Sequence, residues 1–189
     1  MGSDVVSQRP LSGGCVAEVS RATLADGREV VVKAGGAKLD LEAWMLRYLA
    51  ERSSLPVPAV LHAEPDLLVM EFLPGESGGS RAAEPHAAEL LADLHSVPAP
   101  AFGLERDTLI GSLDQPNAPS ESWIDFFRDR RLLHMTRVCV RAGRADEGLL
   151  RRAERLAERL PDLLDEPPAP ALLHGDLWGG NILTSGSRV

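Results

Sequence analysis

A chain of 189 residues with 44% hydrophobic and 25% charged residues can bury a core and is long enough for one domain or one two-lobed unit, which excludes a disordered chain. Its 28 acidic residues outnumber its 20 basic ones, and a net charge of -8 repels nucleic acid and anionic membranes unless a basic patch is segregated. Two cysteines are too few for a disulfide framework, Met1 to Pro10 lacks a signal-peptide core, and no apolar run reaches the ~18 residues that span a bilayer, so a reducing cytoplasm is the expected setting.

The first seventy or so residues read as strands with one helix. Ala17 to Leu24 carries apolar or β-branched side chains with partial alternation, Asp26-Gly27 is a hairpin turn, and Glu29 to Lys33 returns as a strand. Leu41, Trp44, Met45, Tyr48 and Leu49 repeat with helical period, with Asp40 as the expected N-cap and Pro56 marking the exit. Short strands follow near Ala59 to Ala63 and Leu67 to Phe72. Pro74-Gly75 and the glycines and serines up to Ser80 then break the pattern, which predicts two lobes, residues 1–73 and 74–189. Beyond the break the chain turns helical, with stripes at Leu90, Leu91, Leu94 and His95, at Trp123, Phe126 and Phe127, and from Arg131 to Val140. Leu149, Ala153, Leu156, Leu160 and Leu163 predict a core-facing helix. Arg151, Arg152, Arg155 and Arg159, interleaved with Glu154 and Glu158, read as its solvated face. A Pro-rich loop and a short apolar strand, Ala171 to Leu173, complete the series.

Directly after that strand comes His174-Gly-Asp176-Leu-Trp-Gly-Gly-Asn181. Phosphoryl transfer needs a carboxylate that orients the attacking hydroxyl and accepts its proton, with an oxygen ligand for Mg²⁺ nearby. Asp176 and Asn181 stand at the spacing of a kinase catalytic loop, and Gly175, Gly179 and Gly180 permit its tight path. Lys33 ends the apolar strand Val30-Val31-Val32, where its ammonium can meet nucleotide phosphates and a helix carboxylate; Glu42 is the candidate partner, with Glu51 a competitor. Ser12-Gly13-Gly14-Cys15 can bring backbone N–H groups to phosphates. The strand through Met70 and Glu71 to Leu73 runs into the break between lobes, where the carbonyl of Glu71 and the N–H of Leu73 can meet an adenine edge.

The loop His174 to Asn181, with Trp178 after His-Gly-Asp-Leu, resembles the catalytic loop of fructosamine (ketosamine) kinases. Leu109-Ile-Gly-Ser-Leu-Asp-Gln115-Pro-Asn117, followed by Trp123 and Phe126-Phe127, is similar to a second segment of that family. The resemblance runs from about Pro10 to Leu183. It implies an α+β, protein-kinase-like two-lobed fold and ATP- and Mg²⁺-dependent phosphorylation of the sugar 3-hydroxyl of ketoamines, a deglycation step. It also implies Asp176 as base, Asn181 as metal ligand, Lys33 on the phosphates, His174 as loop support, Trp178 at the sugar, and Gln115 and Asn117 on the acceptor side or as structural residues. A redox-dependent homodimer through Cys15 is a further implication, with a monomer the other expectation.

One departure stands out. Kinases place a second Mg²⁺-binding aspartate after the catalytic loop, and Ile182 to Val189 contains no acidic residue. The sequence therefore reads as a fragment without activity of its own. The competing readings are a phosphotransferase for another alcohol, such as an aminoglycoside or choline, and a nucleotide-binding pseudokinase.

Overall fold

Three consecutive valines, 30 to 32, favour the pleated backbone, because β-branched side chains are stiff at χ1 and pack well on a sheet. In the structure, a computed structural model that describes residues 3–11 and 17–189, they lie in the middle strand of an antiparallel sheet. In chain order the elements are β1 (Val5–Pro10), β2 (Glu18–Leu24), β3 (Glu29–Ala34), α1 (Leu39–Arg52), β4 (Val60–Glu64) and β5 (Leu67–Glu71). Then follow β6 (Glu76–Ser77), α2 (Glu84–His95), β7 (Thr108–Ile110), β8 (Leu113–Gln115), α3 (Trp123–Phe127), α4 (Leu133–Arg141), α5 (Glu147–Glu158), α6 (Leu160–Leu163) and β9 (Leu183–Thr184). The α+β class expected from the sequence is borne out. Two compact units form, Met1–Val97 with Leu173–Val189, and Pro98–Leu172.

The first unit carries the five-stranded sheet in the order β1-β2-β3-β5-β4, every neighbouring pair antiparallel. Alternation along the strands separates two apolar clusters. Ala22, Leu24, Val30 and Val69 form one, and Leu68 and Met70 meet Leu39 and Ala43 of α1 in the other. Two details of α1 differ from the sequence reading. The helix starts at Leu39 behind Lys38, which takes a left-handed φ of 62°, so Asp40 lies inside the first turn and is not the N-cap. The face on the sheet is Leu39, Ala43 and Leu46, while Trp44, Met45 and Tyr48 stay half-exposed. The small Ala43 lets the helix approach closely, and the Trp44 and Tyr48 rings pack against each other at a tilt of 39°, centroids 5.1 Å apart. In the same unit β6 pairs with β9, at the end of the chain.

In the second unit β7 and β8 form a hairpin that the sequence reading had not assigned as strands. The aromatic helix is longer than its stripe. α3 passes through a π-helical turn, Arg128–Leu132, straight into α4. Ser122 caps α3 by accepting from the N–H of Asp125, and Asp146 caps α5 by accepting from the N–H of Leu149 at 2.8 Å. The core face of α5 agrees with the predicted one at Ala153 and Leu160 and departs from it elsewhere. Ala153, Ala157 and Leu160 are buried, the two alanines with Leu133 of α4, whereas Leu149, Leu156 and Leu163 are exposed. Spacings of three and four define two overlapping stripes here, and the alanine stripe wins because it allows close helix contact. Ala171 to Leu173 is not a strand either. Only Ala171 makes a bridge, to Pro98, because the neighbouring prolines have no N–H to donate.

Candidate active site

Lys33, on β3, and Glu42, on the first turns of α1, meet as an ion pair at 2.5 Å, both side chains about a third exposed or less. The register explains the meeting. Lys33 alternates with Val31, which packs with the α1 cluster, so its side chain leaves the sheet on the helix side. Met70 is buried beneath α1 by its side chain, and the N–H of Glu71 donates to Ala59 at 2.9 Å. From Glu71 the chain runs through Phe72 and Leu73 to Pro74 outside any regular element, and the guanidinium of Arg21 lies 3.9 Å from the Phe72 ring centroid. Gly13, Gly14 and Cys15 lie outside the described residues.

The loop from His174 to Asn181 is in the same unit as Lys33 and Glu42. Gly175 takes φ 83°, a left-handed value that turns the chain back between His174 and Asp176. A short 3-10 turn, Gly179–Asn181, then brings Asn181 to Asp176. The Asn181 amide nitrogen donates to the Asp176 carbonyl at 2.8 Å and to its carboxylate at 2.9 Å. Asp176 is exposed, as a group that must receive a substrate would be. Its own N–H donates to Nδ1 of His174 at 3.3 Å. A backbone N–H can only donate, so Nδ1 is the acceptor and the His174 proton sits on Nε2. Burial lowers the His174 pKa, opposed by the charge of Asp176, and so favours that neutral ring. The Trp178 ring lies against Gly180, where any Cβ would overlap it, yet Trp178 is 63% exposed. The loop thus presents a carboxylate, an amide oxygen and an aromatic face together.

Gln115 and Asn117 belong to the second unit. Asn117 is 3% exposed and its amide is fully engaged. Its nitrogen donates to the Arg106 carbonyl at 3.0 Å and to Oγ1 of Thr108 at 2.8 Å, and its oxygen accepts from Arg131 at 2.7 Å. Thr108 in turn donates to Gln115 at 3.2 Å. Asn117 therefore spends both amide hydrogens on the protein, which is how a residue holding a loop behaves. Arg131, from the π-helical turn, also donates to the Pro116 carbonyl and lies over the Phe126 ring, and burial lowers its pKa, opposed by Asp107. The sequence reading gave Arg131 no role and missed Thr108; an arginine next to an aromatic helix stripe was the available signal. It also missed Glu166, whose carboxylate accepts from Ser122 Oγ and from the N–H groups of Trp123 and Ile124 and so anchors the Pro-rich loop to the start of α3.

Among the described residues no group of three or more His, Cys, Asp or Glu side chains could hold a metal ion by itself. Asn181 offers one amide oxygen, beside the Asp176 carboxylate. That fits a Mg²⁺ ion held mainly by nucleotide phosphates and water, and does not fit a closed protein cage. No helix of the described residues is long and apolar enough to cross a membrane.

The fold is that of protein-kinase-like phosphotransferases. A type I macrolide 2′-phosphotransferase superposes with a TM-score of 0.61 over 99% of this chain at 21% identity. A Thermobifida fusca crystal structure bearing the name fructosamine-3-kinase superposes with a TM-score of 0.85 over 99% of this chain and 67% of its own, at 30% identity. The chloroplastic protein-ribulosamine 3-kinase of Arabidopsis thaliana is 30% identical over 184 residues, 91% of this chain, and the chain spans 55% of that relative's length. The fructosamine kinase family model matches residues 2–188, so the chain belongs to the fructosamine kinase family.

Proposed function

We propose that the protein transfers the γ-phosphoryl group of ATP to the sugar 3-hydroxyl of a ketoamine, a sugar joined to a lysine side chain or another amine, in the cytoplasm. The observation that carries this reading is the two-point hold of Asn181 on Asp176 in an exposed loop. Asp176 orients the attacking hydroxyl and accepts its proton. Because the Asn181 nitrogen is spent on Asp176, its oxygen is left to hold a Mg²⁺ ion, which would supply positive charge against the phosphates. Lys33, steadied by Glu42, places its ammonium on the nucleotide phosphates, and Gly13, Gly14 and Cys15 cover them. The Glu71 carbonyl and the Leu73 N–H hold the adenine edge. The Trp178 face packs the sugar. Phosphorylation at the 3-position makes the adduct decompose, so the role is deglycation.

The relatives are longer than this chain, and the activity is proposed for a protein of their length. Asn181 alone offers the Mg²⁺ ion one neutral oxygen, so these 189 residues by themselves should turn over slowly. The test is a coupled ADP-release assay with a fructosamine, a ribulosamine and an aminoglycoside panel, run on this chain and on a family member of full length. Turnover confined to the ketoamines supports the reading, and preference for an aminoglycoside sinks it. Equal turnover by the two proteins would show that the 189 residues suffice.

A further inference from the structure

Phe72 stands between Glu71 and Leu73, the two residues assigned to the adenine edge, and it is gripped from another strand. Val31 of β3 pairs with Met70 of β5 on one side and with Arg21 of β2 on the other, so Arg21, Val31 and Met70 form one row on one face of the sheet. Lys33 is on that face too, in the row Val19, Lys33 and Leu68, two residues or roughly 7 Å further along the strands. The Arg21 guanidinium reaches past the end of β5 to lie 3.9 Å from the Phe72 ring centroid. Glu29, two residues before Val31 and so on the same face, holds it as an ion pair, and the arginine side chain is 22% exposed. On the opposite side of β5, Ala59 holds Glu71 twice. Its carbonyl accepts from the Glu71 N–H at 2.9 Å, and its own N–H donates to the Glu71 carboxylate at 3.3 Å. Phe72 to Pro74 belong to no regular element, yet their entry is pinned from both sides.

We propose that Arg21 is a positioning residue for base selection: by clamping Phe72 it fixes the Glu71 carbonyl and the Leu73 N–H at one spacing and direction, and so favours adenine. This role rests on the phosphotransferase reading and deepens it. An adenine edge offers an amino donor beside a ring-nitrogen acceptor. One carbonyl and one N–H two residues apart match that edge only if the residue between them keeps its place. Guanine presents a carbonyl oxygen where adenine presents the amino group, so the same fixed pair rejects it. Arginine suits the clamp because its planar guanidinium stacks on an aromatic face while its edge pairs with a carboxylate, which a lysine ammonium does not combine. The order along the sheet is also the order of the ligand, phosphates toward Lys33 and base toward Phe72. An Arg21–Glu29 pair that served the sheet alone would move ligand binding only in step with stability.

The test is calorimetric titration of this chain with ADP, GDP and inorganic tripolyphosphate, each with Mg²⁺. Tripolyphosphate reports on the Lys33 end without a base. Arg21→Met keeps an unbranched apolar stem and removes the guanidinium. It should weaken ADP by about five- to tenfold, leave tripolyphosphate unchanged, and shrink the preference for ADP over GDP. Arg21→Lys should restore the charge and recover little of the ADP affinity. Phe72→Leu should copy Arg21→Met, and the double variant should bind ADP no more weakly than either single one. Lys33→Met should instead weaken ADP and tripolyphosphate together. Unchanged ADP affinity in Arg21→Met, loss of ADP and tripolyphosphate in step, or an intact preference for ADP over GDP would each overturn the role of Arg21 alone. An unaltered chain that bound neither ADP nor tripolyphosphate would remove the phosphotransferase reading and the clamp with it.

Discussion

Asn181 grips Asp176 at two points, its amide nitrogen reaching both the backbone carbonyl and the carboxylate of the same residue. The carboxylate is thereby fixed relative to its own peptide group, which is what a base needs if it is to meet a substrate hydroxyl in one geometry. In a family member of full length, the change equivalent to Asp176→Asn should lower the turnover rate by about 10²–10⁴-fold and leave nucleotide binding intact. Near-full turnover of a fructosamine would remove Asp176 from the chemistry. Both groups are exposed, so melting temperatures should barely move.

The Lys33–Glu42 pair separates function from stability. Exposed and half-exposed ion pairs contribute about 0–1 kcal/mol, so Lys33→Met should shift unfolding little. Its loss should instead appear in turnover, because the ammonium stabilises charge at the phosphates in the transition state. Glu42→Gln should act in the same direction and more weakly. Chemical denaturation together with steady-state kinetics would check both, and a large loss of stability with unchanged turnover would assign the pair to the fold alone.

His174 gives the loop a pH dependence of definite sign. Its folded pKa is lowered by burial, so the stability tied to the neutral ring is present above the unfolded histidine value, about 6.5, and is lost as pH falls through the folded one. Protonation at Nδ1 also removes the acceptor for the Asp176 N–H. Protection of the Asp176 amide, taken relative to its intrinsic exchange rate, should therefore fall as pH drops through the folded His174 value, and His174→Gln should flatten that profile. An exchange rate following the ordinary base-catalysed dependence in both proteins would contradict the coupling.

Asn117 should be the costliest polar residue of its unit to remove. Asn117→Ala strands the Arg106 carbonyl, Thr108 and Arg131 at a buried position, at about 1–3 kcal/mol for each group left unsatisfied. Gln115→Ala, at a half-exposed site with one side-chain bond, should cost much less. Urea unfolding of the two variants provides the comparison; equal losses would mean that water replaces the buried amide.

The geometry of the loop His174–Asn181 was legible because its interactions are local. A carboxylate, an amide and three glycines within eight residues constrain one another whatever surrounds them. Lys33 with Glu42 was legible from strand and helix order, since a lysine alternating with Val31 leaves the sheet on the helix side. Helix faces were less so. In α1 and α5 more than one apolar stripe fits the helical period, and the chosen one carries alanine, Ala43 in one case, Ala153 and Ala157 in the other. A pattern that scores leucine and tryptophan above alanine selects the wrong side. Long-range polar anchors such as Glu166 on Trp123 leave no trace in local sequence at all.

The discontinuity of the first unit bears on its synthesis. Met1–Val97 and Leu173–Val189 are separated by all of Pro98–Leu172, so Lys33 emerges from the ribosome long before Asp176 does. The sheet can form on hairpin contacts early, whereas β6 waits for β9. Closing that long intervening stretch adds entropy cost only logarithmically with its length, so changes of length there weigh lightly on the unit's stability. Vectorial translation thus delivers the loop His174–Asn181 after the sheet, which is by then already able to fold.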